Sequence, residues 1–133
     1  MKNNKGFSLV ELIVVIAIMA ILAAVAIPTF AGFITKANEA SDESYLNDIA
    51  YAVELKLAEE GGIPATTTLK VKLTTNATTK VTTVEKIILD DTDNTKDSEL
   101  TIADLEGVID GSYAMKALEE GTYYKNADGD WVK

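Results

Sequence analysis

Several residue types on which enzyme chemistry depends are absent from this chain. It contains no cysteine, no histidine and no arginine, and all twelve of its basic residues are lysines. Without thiols the chain cannot form disulfides or thiolate metal sites, and without histidine it lacks the side chain used most often for acid–base catalysis. No glycine-rich phosphate loop or catalytic triad pattern appears either. The sequence therefore argues against an enzyme, predicts no cofactor and requires the fold to be stabilised by packing alone.

The chain also has fewer basic than acidic residues, 12 against 21. The formal net charge is -9 at neutral pH, which leaves few groups that could neutralise phosphates. Because counterion release supplies most non-specific affinity for nucleic acids, direct nucleic-acid binding is not expected.

Apolar residues are distributed very unevenly. The chain has 133 residues, enough for one small domain. Residues 12–27 include no polar side chain, whereas the sequence after Lys36 is mixed and reads as a water-soluble domain. The chain is therefore amphiphilic along its length.

The N-terminus allows three interpretations. Residues 1–6 are polar and basic, and 7–27 are apolar except for Ser8 and Glu11. A secretory signal peptide would be cut after Ala26, where small residues precede the site. A simple transmembrane anchor would keep the whole run, since about 20 apolar residues span a bilayer. In the third interpretation the chain is cut before the apolar run, and the hydrophobic helix is retained.

Glu11 favours the third interpretation. A carboxylate within an apolar segment costs roughly 2.5 to 3.5 kcal/mol at mid-membrane on insertion scales, and neither a signal peptide nor a plain anchor needs one. Cleavage between Gly6 and Phe7 would create a new amino group, which is a cation near neutral pH. Glu11 would then have a natural partner.

A family resemblance rests on these same residues. The segment 5–33 resembles the N-terminus of type IV pilins and major pseudopilins in its leader end, its glutamate and its apolar run. The quoted residues are Lys5-Gly6-Phe7-Ser8-Leu9-Val10-Glu11, then Leu12-Ile13-Val14-Val15-Ile16-Ala17-Ile18, and finally Ala23-Ala24-Val25-Ala26-Ile27-Pro28.

The resemblance implies specific roles for three residues. A prepilin peptidase would cut after Gly6, and Phe7 would become the methylated N-terminus. Glu11 would pair with the Phe7 amine of a neighbouring subunit. The implied partners are copies of the chain itself, the peptidase, the pilus assembly machinery and, before assembly, the membrane.

The implied function is that of a structural subunit of an extracellular type IV pilus used for adhesion, motility or colonisation. The chain would be a single-pass membrane protein before assembly. The alternative is a major pseudopilin of a type II secretion or competence system, and a threonine-rich domain favours the pilus.

Pro28 lies inside the predicted helix. Because proline lacks a backbone donor and clashes with the preceding turn, it should kink or interrupt the helix. Many family members have glycine where this chain has Ala20, so any melting of the helix in a filament could be confined closer to Pro28.

The helix is predicted to continue into the domain. Leu46, Ile49, Ala50, Val53 and Leu57 recur at spacings of three and four, and Gly61 and Gly62 end the pattern. The predicted organisation is a leader at 1–6, a helix at 7–60 and a β-rich domain at 61–133. Within the helix, 7–28 belongs to the membrane or filament core and 29–60 packs on the domain.

The remainder predicts strands, which gives an α+β class with a pilin fold: a long kinked helix, a small antiparallel sheet and short helices. Strands are predicted at 69–73 and 80–89, with a hairpin of 123–125 against 130–132. Short helices are predicted at 102–107 and 113–120. The threonine-rich stretch 66–83 contains a sequon at Asn76, a glycosylation candidate with a plain solvated hairpin as the alternative.

Acidic residues suggest calcium only weakly. The stretch 90–99 is predicted to be a charged loop, and its spacing fails the EF-hand pattern. The candidates are Asp91 and Asp93 there and Asp128 and Asp130 in the last turn, where turn chemistry is the better explanation.

Overall fold

The structure is a computed structural model, which describes residues 6–60, 67–91, 98–105, 107–126 and 128–133. Most of the leader at 1–6 and the predicted stop at Gly61 and Gly62 lie outside these residues. The chain forms two compact units, Met1–Ala37 and Asn38–Lys133. The described part contains one α-helix, one short 3₁₀ turn and five strands, so the predicted α+β class is confirmed.

Helix α1 spans Leu9–Glu60, a length of 52 residues. It is continuous through Pro28, so the interruption allowed by the sequence does not occur, and the kink remains a prediction. A hydroxyl bonds back to the helix beside this site, since Thr29 Oγ1 donates to the Val25 carbonyl at 3.0 Å.

Within the second unit, α1 supplies one side of the hydrophobic core. Leu46, Ile49 and Val53 are almost completely buried, as their periodicity predicts. From the strands, Val71, Leu73 and Ile87 are fully buried in the same cluster. The core therefore lies where the apolar stripe of α1 meets one face of the sheet.

The sheet is antiparallel, in the order β3-β2-β1-β4-β5. Its strands are β1 (Thr67–Thr75), β2 (Thr82–Asp91), β3 (Ser98–Leu100), β4 (Gly121–Lys125) and β5 (Trp131–Val132). Both edge strands are very short, which limits the unpaired backbone available for aggregation. The strand predicted at 69–73 is confirmed within β1, and the one predicted at 80–89 is confirmed as β2, although β2 begins at Thr82 and leaves residues 80 and 81 in the turn. The C-terminal hairpin is confirmed as β4 and β5.

A bulge adjusts the pairing of β1 with β2. Lys72 pairs with Lys86 and Leu73 with Val84, which leaves Glu85 as the extra residue. Because side chains alternate along a strand, the extra residue lets Val84 and Ile87 both pack toward the core.

Three sequence predictions in the second unit differ from the structure. The stretch 90–99 is not entirely loop, because Asp90 continues β2 and Glu99 lies in β3, where it pairs with Ile88. Of the two predicted helices, the first is a short 3₁₀ turn at Ile102–Leu105. The second, at 113–120, is not helical, because its backbone N–H groups bond elsewhere.

Candidate assembly and processing site

The predicted cleavage point lies immediately before α1. Gly6 and Phe7 are exposed and not helical, and the Phe7 side chain is 89 % exposed. A Cβ added at Gly6 would meet no atom of the described residues within 4 Å. Nothing in the described chain therefore requires glycine at position 6.

Ser8 and Glu11 close the first turn of α1 reciprocally. The Ser8 N–H donates to Glu11 Oε2 at 2.8 Å, and the Val10 N–H donates to Ser8 Oγ at 3.2 Å. This is a capping box, which satisfies backbone donors that have no partner inside the helix. The sequence analysis did not consider this role, although the Ser-x-x-Glu spacing that signals it is visible at residues 8–11.

The capping box leaves Glu11 able to accept a second partner. A carboxylate has about four acceptor positions, and the described residues occupy one of its oxygens. A neighbouring amine could therefore bind Glu11 without displacing the Ser8 N–H.

The first half of α1 is apolar on all sides and uncovered. Its large hydrophobic side chains between Leu9 and Ile34 are between 48 % and 75 % exposed. By length and composition alone, it is the one helix among the described residues that could cross a membrane. Such a surface needs either lipid or other protein to cover it.

Asp42 is a buried carboxylate that the sequence analysis missed. Its side chain is fully buried and accepts hydrogen bonds from the N–H groups of Lys116, Ala117 and Leu118 at 2.7 to 3.0 Å. The Tyr113 hydroxyl donates to it at 3.0 Å. A signal was present, because Asp42 lies three and four residues before Tyr45 and Leu46 on the apolar stripe.

These bonds determine the pKa of Asp42. Burial alone would raise it, but the three backbone donors and the Tyr113 hydroxyl favour the ionised form and outweigh burial, so the pKa lies below its ordinary value. Asp42 therefore joins α1 to the segment before β4 as a charged, fully bonded anchor.

Further contacts extend this junction along α1. The Tyr45 and Tyr113 rings stack with centroids 4.3 Å apart, and Tyr45 Oη donates to the Asp110 carbonyl at 2.6 Å. Asn47 Oδ1 accepts from Lys125 Nζ at 2.9 Å and from Trp131 Nε1 at 3.1 Å. The helix thus binds the segments before and within the C-terminal hairpin.

The calcium candidates do not gather into a site among the described residues. No group of three or more acidic side chains is placed there to hold a metal. Asp93 and the side chain of Asp91 lie outside the described part. Near Asp128 and Asp130, Asn126 Oδ1 accepts both of their N–H groups, at 3.0 and 2.8 Å, which is turn chemistry.

Asn76 lies at the exposed tip of the β1–β2 hairpin. Its Oδ1 accepts the N–H groups of Thr78 and Thr79 at 2.9 and 3.0 Å, so the residue shapes the turn itself. Its glycosylation stays a prediction.

Comparison with known families bears on the N-terminal segment. A family model described as the prokaryotic N-terminal methylation motif matches residues 1–27. Residues 1–27 carry the prepilin-type signal. This is the signal of type IV pilins and pseudopilins, as the resemblance implied, and it covers about one fifth of the chain. No solved structure matches the chain.

The signal has direct consequences. It implies processing by a prepilin peptidase and assembly into a multi-subunit system, and it points to a structural subunit rather than an enzyme. Together with the apolar first half of α1, it is consistent with membrane anchoring before assembly.

Proposed function

We propose that this chain is the structural subunit of an extracellular type IV pilus. It is stored in the membrane, cut between Gly6 and Phe7 and methylated at Phe7. Copies then pack helix against helix into a filament that serves adhesion, motility or colonisation. The observation that carries the proposal is the uncovered apolar half of α1, most of which lies inside the prepilin-type signal at residues 1–27.

The apolar surface requires two successive environments. Burying apolar surface gains about 25 cal/mol per Å², so a helix with every side of Leu9 to Ile34 exposed cannot remain in water as a single copy. The bilayer covers it first, since the run is long enough to span the hydrocarbon core. In the filament, the helices of other copies replace lipid.

Glu11 directs how the copies meet. After cleavage the Phe7 amine is a cation, and the carboxylate of another copy can neutralise it, which removes two charges that are costly to bury alone. The capping box supports this role because Ser8 holds the carboxylate at the start of the helix.

The alternative is a major pseudopilin of a type II secretion or competence system, which would use the same helix and the same processing. The exposed threonine-rich hairpin favours the pilus, because uncharged β-branched residues suit a surface that faces the outside of the cell. Electron microscopy of the producing cells distinguishes the long surface filaments of a pilus from the short filament that a pseudopilin would form.

The decisive experiment is the intact mass and N-terminal sequence of protein sheared from its native cell surface. We expect methylated Phe7 as the first residue. A chain that starts at Ile27 would instead identify an ordinary signal peptide, and the filament proposal would fail.

A further inference from the structure

Two adjoining clefts run along one side of α1 within the second unit. They have volumes of about 430 and 290 Å³ and share Val108 as a lining residue. Leu55 lines the smaller cleft, and its side chain and that of Val108 are 42 % and 52 % exposed. Tyr51, one helical turn before Leu55, is 61 % exposed. We call the two clefts together the groove; its lining mixes polar side chains with the exposed apolar side chains of Leu55 and Val108.

The rim of the groove is acidic. Asp48 and Asp110 line the larger cleft, while Glu59 and Asp104 line the smaller one together with Lys56. Four carboxylates thus face one lysine. Asp104 and Asp110 accept hydrogen bonds from Thr101 and Ser112, whereas Asp48 and Glu59 form no hydrogen bond or ion pair with any described residue. A cation from outside the molecule would suit this rim.

The tip of the β1–β2 hairpin, residues 76–81, has the opposite character. It carries one charge, the Lys80 ammonium, which forms no ion pair in the described part of the chain, and the adjacent Val81 is 39 % exposed. Two backbone hydrogen bonds close the tip: the Asn76 N–H donates to the Val81 carbonyl and the Lys80 N–H to the Asn76 carbonyl, both at 2.9 Å. A turn that is already bonded in this way has less conformational freedom to lose on binding.

Lys80 has an unusual backbone for its residue type. Its φ is 57°, in the left-handed region, and it is the one non-glycine residue with positive φ among the described residues. Glycine or asparagine would occupy that position with less strain. A strained residue at a tip is a reason to ask what its side chain does.

We propose that the hairpin tip of one copy docks into the groove of a neighbouring copy, with Lys80 against the acidic rim and Val81 against Leu55 and Val108. The inference rests on the proposed filament. Tip and groove are different surfaces, so the contact is head-to-tail, and contacts of this kind generate helical polymers when they do not close into rings. It also gives the cut copies, which each carry a side-chain charge of -11 once Lys2 and Lys5 are removed, a specific attraction.

Cysteine cross-linking in native filaments tests the contact, since the chain has no cysteine of its own. The test variant combines Val81→Cys with Val108→Cys, and the control combines Val81→Cys with Tyr124→Cys, an exposed residue of β4. A disulfide needs Cα atoms within about 7 Å. We expect oxidation to give a ladder of covalent multimers from the test variant and monomers from the control and from each single variant.

Charge exchange provides an independent readout if cysteine disturbs assembly. Lys80→Glu should lower the yield of sheared filaments about tenfold or more, because like charges would then meet at the rim. Adding Asp48→Lys to Lys80→Glu should restore much of that yield.

The outcomes separate the two proposals. If the unaltered chain forms no filaments, the proposed function fails and the docking fails with it. If filaments form but the test variant gives no ladder, or Lys80→Glu filaments reach the normal yield, the docking alone is wrong. A single Val108→Cys variant that cross-links to a different protein would assign the groove to another partner and overturn the proposal.

Discussion

At the scale of single residues, Glu11 caps the start of α1, and one substitution separates this observed role from the proposed pairing with the Phe7 amine of another copy. In Glu11→Gln the amide oxygen still accepts the Ser8 N–H, because glutamine also completes a capping box. The negative charge is lost, and with it the pairing to an incoming Phe7 amine. We expect a membrane-bound, correctly cut protein whose yield of sheared filaments, measured by immunoblot against the cell total, falls about tenfold or more.

Ser8→Ala is the matched control for this experiment. It removes the hydroxyl that accepts the Val10 N–H and costs about 1 kcal/mol of helix stability, but it keeps the Glu11 charge. Filaments should therefore still form. Normal filaments from Glu11→Gln would disprove the pairing role.

Lys80 gives a second prediction at this scale. Lys80→Gly should raise the free energy of unfolding by about 1 kcal/mol, because glycine adopts positive φ without the clash of a Cβ atom. Lys80→Ala keeps the Cβ atom and should show no such gain. Urea unfolding of the full chain in detergent micelles measures both, and a gain from alanine equal to that from glycine would show that backbone strain is not the cause.

The same residue connects stability with assembly. If the hairpin tip docks as proposed, Lys80→Gly is more stable and yet assembles less well, because the ammonium group is gone. Proteins retain strained residues where the side chain is used.

At the scale of elements, repeating patterns of apolar residues correctly predicted helices, strands and their buried faces. The stripe from Leu46 to Leu57 predicted the buried face of α1, and the alternation of 69–73 predicted β1. Both follow from local chain geometry, in which side chains repeat every 3.6 or 2 residues. The turn at Asn126 was also predictable, since asparagine bonds to its own backbone two residues on.

Elements that depend on distant partners were not predictable. Residues 113–120 are flanked by Ser112 and Gly121 in a way typical of a helix, but the N–H groups of Lys116, Ala117 and Leu118 bond to Asp42, more than 70 residues away. Strand β3 has three residues, too few for a pattern, and exists through pairing with β2. Tertiary contacts overrode the local sequence in both cases.

Asp42 can be tested through the segment that it holds. In Asp42→Ala three N–H groups that bond to the buried carboxylate lose their acceptor, and we expect the free energy of unfolding to fall by about 3 kcal/mol. Hydrogen exchange at Lys116, Ala117 and Leu118 should accelerate together. Glu43→Ala, an exposed carboxylate on the same helix, should change stability by less than about 0.5 kcal/mol. Unchanged exchange at the three amides would contradict the anchor.

The anchor also predicts a pH dependence. The pKa of Asp42 is lower in the folded chain than its ordinary value of 3.8, so its contribution is complete above that value and is lost as the pH falls through the folded pKa. The difference in stability between the unaltered chain and Asp42→Asn should therefore be large at neutral pH and shrink below about pH 4. Hydrogen bonds with Thr101 and Ser112 also lower the pKa values of Asp104 and Asp110. Both groups are present in the unaltered chain and in Asp42→Asn, so their effect on the pH dependence cancels in the difference between the two proteins.

At the scale of the whole molecule, the proposed function has one sequence serve in two states. The uncut chain carries Lys2 and Lys5 and a formal charge of -9; a chain cut after Gly6 would lose both lysines, which would bring the side-chain charge to -11. The cut would also convert the Phe7 amide into an amine. The proposed step from stored precursor to filament subunit is therefore a change of charge at the N-terminus, with the helix and domain unaltered in sequence.

Gly6→Val tests whether this step alone commits the chain to assembly. A Cβ atom added at position 6 meets no atom of the described residues within 4 Å, so the fold of the domain should be unchanged, and we expect any effect on assembly to arise from the peptidase. We expect an uncut precursor in the membrane fraction, identified by intact mass, with the same unfolding midpoint as the unaltered protein and no filaments. The Phe7 amine would be absent in that precursor, so Glu11 would keep its own Ser8 N–H as its bonded partner in the described chain. Filaments built from uncut Gly6→Val subunits would show that the apolar helix is sufficient for assembly and that the new amine is not required.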